Sequence, residues 1–387
     1  MSVWDQVVGQ AAAVQTLQAA ASGSSAMTHA WLVTGPPGSG RSVAARAMAA
    51  GLQCQQAGCG QCPQCRAVMN RTHPDVLDVA TPKVLIGIDE AREWVTLAAR
   101  SPAMGRWRVL LIEDADRMLE RTGNVLLKSL EEPPAQTVWI LTAPSPADVL
   151  VTVRSRCRVV SMGIPALSAV VDLLVSDGVE PEAARTAALA AECHIGLARH
   201  LAQNPEAAAW RRTVLGIPAS ATSVALAVLS AGRLDAAAKE QAELVLKERE
   251  GPARAELLHQ MGEATSGRMS SFGRARLREF DGESKQRARR GQVDTLDRAL
   301  TYLLAFYRDV LVAQFGAEVD LVNADHAELV TASAKTSTVE QTMVALAAIE
   351  LARTRVAANV APALALEAMA VALALPQLAM ADKDEST

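Results

Sequence analysis

Residues 31–42, WLVTGPPGSGRS, restrict what this chain can fold into more than any other stretch. An apolar run enters a glycine-rich loop whose spacing matches G-x-x-x-x-G-K-[ST] everywhere except at Arg41, which stands in the lysine position. Such a loop works between a buried strand and a helix: the glycines let the backbone turn tightly, and the N–H groups that open the helix face an anion. The flanks agree, since HAWLVTG (29–35) reads as a short apolar strand and SVAARAMAAGL (42–52) as the helix after it. Gly35, Gly38, Ser39, Gly40, Arg41 and Ser42 are therefore candidate nucleotide-binding residues, and the first part of the chain is α/β with a parallel sheet.

Downstream, Val109, Leu110, Leu111 and Ile112 form a second buried strand that ends in Glu113 and Asp114. Continuous apolar runs suit parallel strands covered on both faces, and acids at their carboxyl ends lie where open α/β sheets bind ligands. GNVLLKSLEEPP (123–134) reads as a helix closed by prolines, TVWILTAPSP (137–146) as another strand, and VTVRSRCRVV (151–160) as the way out of the domain. Three short helices follow, LSAVVDLLVSDG (167–178), EPEAARTAALAAE (180–192) and GLARHLAQ (196–203). Beyond Pro205 the chain is Ala/Leu-rich with helical periodicity. The expected boundaries are a P-loop domain over 1–163, a helical lid over 164–206, an all-α domain over 207–378 and a frayed tail over 379–387. Residues 268–290 hold eight Lys/Arg against three Asp/Glu. A solvated helix face is the commoner cause of such charge; a DNA contact would require a salt-sensitive patch.

Half of the 387 residues are hydrophobic, enough for two or three domains with real cores, and the net charge of -4 gives no global attraction to nucleic acid or anionic membrane. The first residues carry no basic and apolar leader, and charges interrupt the most apolar tract (343–378), so a cytoplasmic protein without membrane spans is expected. Four of the six cysteines crowd into CQQAGCGQCPQC: Cys54, Cys59, Cys62 and Cys65. Without an export signal, that clustering argues for a structural Zn²⁺ held by four thiolates, in an insert of about 52–68, over disulfides or free thiols. Cys157 and Cys193 stand apart and are expected to be small buried apolar residues. His29, His73 and His194 show no ligand spacing.

Together, VVGQ (7–10), the glycine loop, the four-cysteine insert, THPD (72–75), LLIEDADRM (110–118), SLEEPP (129–134), RSRC (154–157) and NVAPALALEAM (359–369) resemble the clamp-loader AAA+ subunits of bacterial DNA polymerase III, the delta-prime branch most closely. The Ala-rich composition fits a high-GC, actinobacterial-like source. The resemblance implies an AAA+ module, a small lid and a helical collar that assembles a five-subunit ring. It also implies partners: tau/gamma-type motor subunits, delta, and through the complex the sliding clamp and primed DNA. It implies no polymerase chemistry in this chain, which would act inside the polymerase holoenzyme.

Against the motor subunits of that family the own site departs in several places. Ser42 keeps the Mg²⁺-binding hydroxyl, but Arg41 brings a planar fork in place of a compact ammonium. Glu113 and Asp114 reverse the motors' acidic pair, and Ala143 and Pro144 replace part of a γ-phosphate sensor that retains only Thr142. ATP/Mg²⁺ binding in the own site is expected to be weak or absent. Arg156 in RSRC matches the family's trans arginine finger, and Arg199 in GLAR matches its second sensor arginine, with a lid salt bridge as the alternative. Two other functions compete: an active ATPase motor of the same family, which the own-site departures oppose, and a zinc-dependent DNA-binding module. The second would call for a basic knuckle, and residues 54–65 contain no Lys or Arg.

Overall fold

The apolar runs of the first half become five parallel strands. The computed structural model describes residues 2–23, 27–80, 85–220, 223–260, 271–358 and 360–375. They divide into two units, Met1–Gln203 and Asn204–Thr387. In the first, the elements are α1 (Ala11–Ala21), β1 (Ala30–Thr34), α2 (Arg41–Gln53), α3 (Pro63–Met69), β2 (Val76–Val79), α4 (Ile88–Ala98), β3 (Arg108–Ile112), α5 (Glu120–Glu131), β4 (Thr137–Ala143), α6 (Val151–Arg154) and β5 (Arg158–Ser161). The sheet order is β2-β3-β4-β1-β5, so β4 lies between the first and third strands.

Successive side chains leave opposite faces of each strand. Trp31, Val33, Val109, Leu111, Val138 and Ile140 pack with Leu17, Met48 and Leu52 of α1 and α2 on one side. Leu32, Leu110, Ile112, Trp139 and Leu141 pack with Trp94 and Leu126 of α4 and α5 on the other. Each of these fully buried large side chains contributes about 1.5–3 kcal/mol. With both faces covered, the site must form at the carboxyl ends of the strands, where the glycine loop leaves β1, Glu113 and Asp114 follow β3, and Thr142 sits on β4 opposite Val33. Residues 151–160, read from the sequence as an exit, form the short helix α6 and the edge strand β5. Cys157 and Cys193, expected inside, are half-buried, Cys157 next to the exposed end of β5 and Cys193 in a left-handed turn with φ 61°.

The same unit ends in α7 (Leu167–Ser176), α8 (Pro181–Ala190) and α9 (Ile195–Gln203), which bury Val170, Leu174, Ala184, Ala188 and Ala198. Asn204 caps the next helix by accepting N–H groups from Glu206 and Ala207, and the division between units falls there.

The second unit holds α10 (Pro205–Leu215), α11 (Ile217–Ser220), α12 (Val224–Gln260), α13 (Ser271–Phe315), α14 (Ala327–Thr336), α15 (Val339–Ala357) and α16 (Pro362–Ala374). Ala227, Ala231, Leu234 and Ala238 of α12, with Leu296, Leu300, Leu303 and Phe306 of α13, recur at helical spacing and are buried. Small residues bring these helices close: a Cβ on Gly291 would lie 3.3 Å from that of Ala242. Of the basic stretch, the described part lies within α13, where Arg287 pairs with Glu250 and Arg290 lies 3.8 Å from Asp294. The expected tail over 379–387 lies outside the described residues.

Candidate nucleotide site and interface arginine

The glycine loop is folded, with both Nη groups of Arg41 and the Ser42 hydroxyl engaged within the chain, while Ser39 Oγ and Arg41 Nε are buried without a hydrogen-bond partner. Gly38 and Gly40 take φ of 86° and 84°, a left-handed backbone that favours glycine, and Gly40 caps α2. Gly38 also abuts the turn before α9: a Cβ there would come within 2.6 Å of the His194 backbone. Gln10 of the VVGQ stretch fastens the loop to the strand end, donating from Nε2 to the carbonyls of Ser39 (3.3 Å) and Gly163 (2.7 Å) while its Oε1 accepts from Gly163 N–H.

Arg41 turns back into the protein. Its Nη1 donates to the Gly35 carbonyl at 3.0 Å and its Nη2 to Asp114 Oδ1 at 3.2 Å. Ser42 Oγ donates to Glu113 Oε2 at 3.0 Å, and Glu113 Oε1 takes Arg46 Nη2 at 3.0 Å. Arg46 and Arg71 further pair with Asp78 of β2, at 2.8 and 3.3 Å. Asp114 has φ 56°, receives Arg117 at 2.9 Å and offers its N–H to Thr142 Oγ1. Next to it, burial pushes the Asp116 carboxyl above its ordinary value, a shift the Asp114 charge reinforces. The sequence placed Arg41, Ser42, Glu113, Asp114 and Thr142 in one site, and the structure brings them together; it adds Gln10 from the VVGQ motif, and Arg46, Arg71 and His194, which no motif marked.

The four clustered cysteines converge. Cys54 ends α2 and Cys62 caps α3, and with Cys59 and Cys65 their sulfurs lie within 4.8 Å of one another. Cys62 Sγ is 3.7 Å from Cys54 Sγ; a tetrahedral thiolate site with bonds of about 2.3 Å has an edge of about 3.8 Å. Burial opposes ionisation of Cys54, but backbone N–H groups around residues 56–59 outweigh it and hold the thiol down at about 6. Bonds from the backbone at Gln61 and Cys62 lower Cys59 as well, whereas burial pushes Cys65 up. This donor set fits a four-coordinate, thiophilic cation with no position left for water. Trp4 Nε1 donates to the Ala57 carbonyl at 2.8 Å and ties the knuckle to the start of the chain.

The two remaining candidate arginines lie away from the loop. Arg199 of α9 pairs with Asp177 at the end of α7, Nε to Oδ2 at 2.7 Å and Nη2 to Oδ1 at 3.3 Å, a salt bridge of the kind set against a sensor role. Arg156, at the turn between α6 and β5, donates from Nε to Glu131 Oε1 at 2.6 Å and from Nη1 to the Thr152 carbonyl at 2.7 Å. His73 is buried against Gln64, and His29 is half-buried against the Leu130 carbonyl.

In class, the first unit is an α/β module with a five-stranded parallel sheet, a glycine loop after β1 and an acidic pair after β3. More particularly, residues 9–165 are similar to one family, matching the model described as DNA polymerase III, delta subunit. The DNA polymerase III delta-prime subunit of Pseudomonas aeruginosa is 34% identical over 166 residues, 41% of this chain and 51% of the relative. The tau subunit of Bacillus subtilis is 31% identical over 159 residues, 40% of this chain and 28% of its own. The chain therefore spans about half the length of the first of these relatives. Among solved structures, a DNA polymerase III gamma subunit-related protein of Thermotoga maritima aligns over 89% of this chain and 93% of its own, with 15% identity and a TM-score of 0.36.

Proposed function

We propose that this chain is a non-motor, delta-prime-type subunit of a DNA polymerase III clamp loader in the cytoplasm. It stands in a five-subunit ring with tau/gamma-type motor subunits and delta, and helps them place the sliding clamp on primed DNA. Arg156 serves the nucleotide of a neighbouring motor subunit, and residues 164–206 and 207–378 act as lid and collar. The four cysteines hold a structural Zn²⁺ that orders the turn between α2 and α3. No polymerase step is assigned to the chain itself.

The observation that carries the non-motor reading is the internal pairing of the own P-loop. A working site keeps a cation free for the β- and γ-phosphates and a hydroxyl free for Mg²⁺. Here the Arg41 fork is divided between Gly35 and Asp114, and the Ser42 hydroxyl is given to Glu113. A nucleotide would have to break these bonds and would leave Asp114 and Glu113 beside its own negative charge, a combination that disfavours binding. Asp114, in the position of the motors' Glu, is also one methylene short for aligning water, and a misplacement of about 1 Å costs on the order of 10²-fold in rate. Arg156 by contrast reaches the surface, its side chain 30% exposed.

Titration of the isolated chain with a fluorescent ATP analogue and Mg²⁺, beside Arg41→Lys, tests this reading. The natural chain is expected to show no saturable binding up to roughly millimolar analogue, and Arg41→Lys, which releases Gly35 and Asp114 from the fork, to regain some. Micromolar binding with turnover by the natural chain would instead favour the motor reading.

A further inference from the structure

The SLEEPP and RSRC motifs meet in space, and Glu131 with Arg156 is the point of contact. Glu131 is the last residue of α5, held there because Pro133 and Pro134 end the helix. A carboxylate at a helix C-terminus sits at the negative end of the backbone dipole, so a cation is drawn to that spot twice over. Arg156 fills it. Its Nε and Nη2 both donate to Glu131 Oε1, while Nη1 donates to the Thr152 carbonyl and to Ser155 Oγ. The guanidinium is thus neutralised by a carboxylate of its own chain, and three of its nitrogens point inward.

We infer that Glu131 is a latch on Arg156: it keeps the guanidinium parked against its own module, and the phosphate of a neighbouring subunit's nucleotide must displace it before Arg156 can act in trans. This rests on the proposed trans role of Arg156. A guanidinium stabilises charge on a transferring phosphoryl group only with donors free to face it, so Glu131 and the phosphate compete for the same N–H groups. The side chains are 30% and 47% exposed, so water screens the pair and the latch opens readily. It therefore matters when the interface is loose, before clamp and primed DNA are engaged, and is overridden once the phosphate is brought close. Glu131 is accordingly a positioning residue and touches no substrate.

The test is ATP hydrolysis by the loader reassembled with its own motor and delta subunits, with and without clamp and primed DNA, for the natural chain, Glu131→Gln, Arg156→Ala and the double variant. Glu132→Gln is the control for loss of one adjacent charge. Glu131→Gln is expected to raise the unstimulated rate about two- to fivefold, the range of an exposed ion pair, and to leave the stimulated rate unchanged. The gain should shrink as added salt screens the pair, and should vanish in the Arg156→Ala background. A structural role for Glu131 would lower both rates together. No rise with Glu131→Gln, an equal rise with Glu132→Gln, or a rise that persists without Arg156 would overturn the latch while leaving the trans role standing. An Arg156→Ala loader whose stimulated rate is unchanged would remove the trans role itself, and the latch with it.

Discussion

Asp75 of the THPD stretch shows how one residue can hold a loop. Its buried carboxylate accepts the N–H groups of Ala103, Met104 and Gly105, each at 2.7 Å, with Arg108 at 3.4 Å. His73 supports it: Nδ1 accepts the Asp75 N–H at 3.0 Å while Nε2 meets Gln64 Oε1 at 2.5 Å, beside the cysteine knuckle. Burial alone would raise the Asp75 carboxyl, but the three N–H groups and Arg108 outweigh it and hold it below the ordinary 3.8. A carboxyl lowered by folding contributes stability that is complete above its unfolded value and is lost as pH falls through the folded one. The first unit should therefore lose stability increasingly below about pH 3.8. Asp75→Asn should cost about 2–4 kcal/mol at neutral pH and flatten that acid limb, as thermal melts across a pH series would show. A melting curve unchanged by the substitution would mean that the loop over 101–107 is held by other contacts. At this scale the sequence pointed to residue types more than to partners. Arg41 and Ser42 were marked by spacing, but nothing in one sequence announces that Arg41 returns to Gly35, or that Glu131 and Arg156, 25 positions apart, meet.

Among the elements, the central strands were legible because β1, β3 and β4 are buried on both faces and read as unbroken apolar runs. β5 was missed because it is an edge: only Val160 of its four residues is buried, and the charges around it read as a connecting segment. The glycine loop, the three helices α7, α8 and α9 and the cysteine knuckle were legible from short-range spacing, which turn chemistry dictates. The closure of Gly38 against His194 was not, since it depends on how α9 returns to the loop. The knuckle carries a prediction of its own. Elemental analysis of the purified chain should find one zinc per molecule, and removal with a strong chelator should loosen α3 and lower the melting temperature, because binding energy at such a site is folding energy. A metal-free chain with an unchanged melting curve would contradict a structural site; Cys59→Ser, on the more exposed side of the cluster, should weaken retention of the metal without removing the fold.

At the level of the molecule, the two units follow from two kinds of sequence. Apolar strand runs and glycine turns give the first its sheet, and Ala/Leu periodicity gives the second its long helices α12 and α13. In the second, buried Arg211 donates from Nη1 and Nη2 to Asp325 and from Nη2 to Asn323, and Asp309 accepts from Asn323 and the Val322 N–H, a polar network that ties α10, α13 and the connection before α14. No helix among the described residues is long and apolar enough to cross a membrane. The proposed function is centred on a division of labour: a P-loop whose Arg41 and Ser42 are paired within the chain, and Arg156, which the proposal gives to the nucleotide of another subunit. The most direct measurement is single-turnover ATP hydrolysis by the reassembled loader, engaged with clamp and primed DNA, with Arg156→Ala compared against Ser42→Ala in this chain. The account predicts that Arg156→Ala slows the neighbouring site by about 10³-fold or more while Ser42→Ala leaves hydrolysis unchanged. Full hydrolysis without Arg156, or its loss without Ser42, would contradict it.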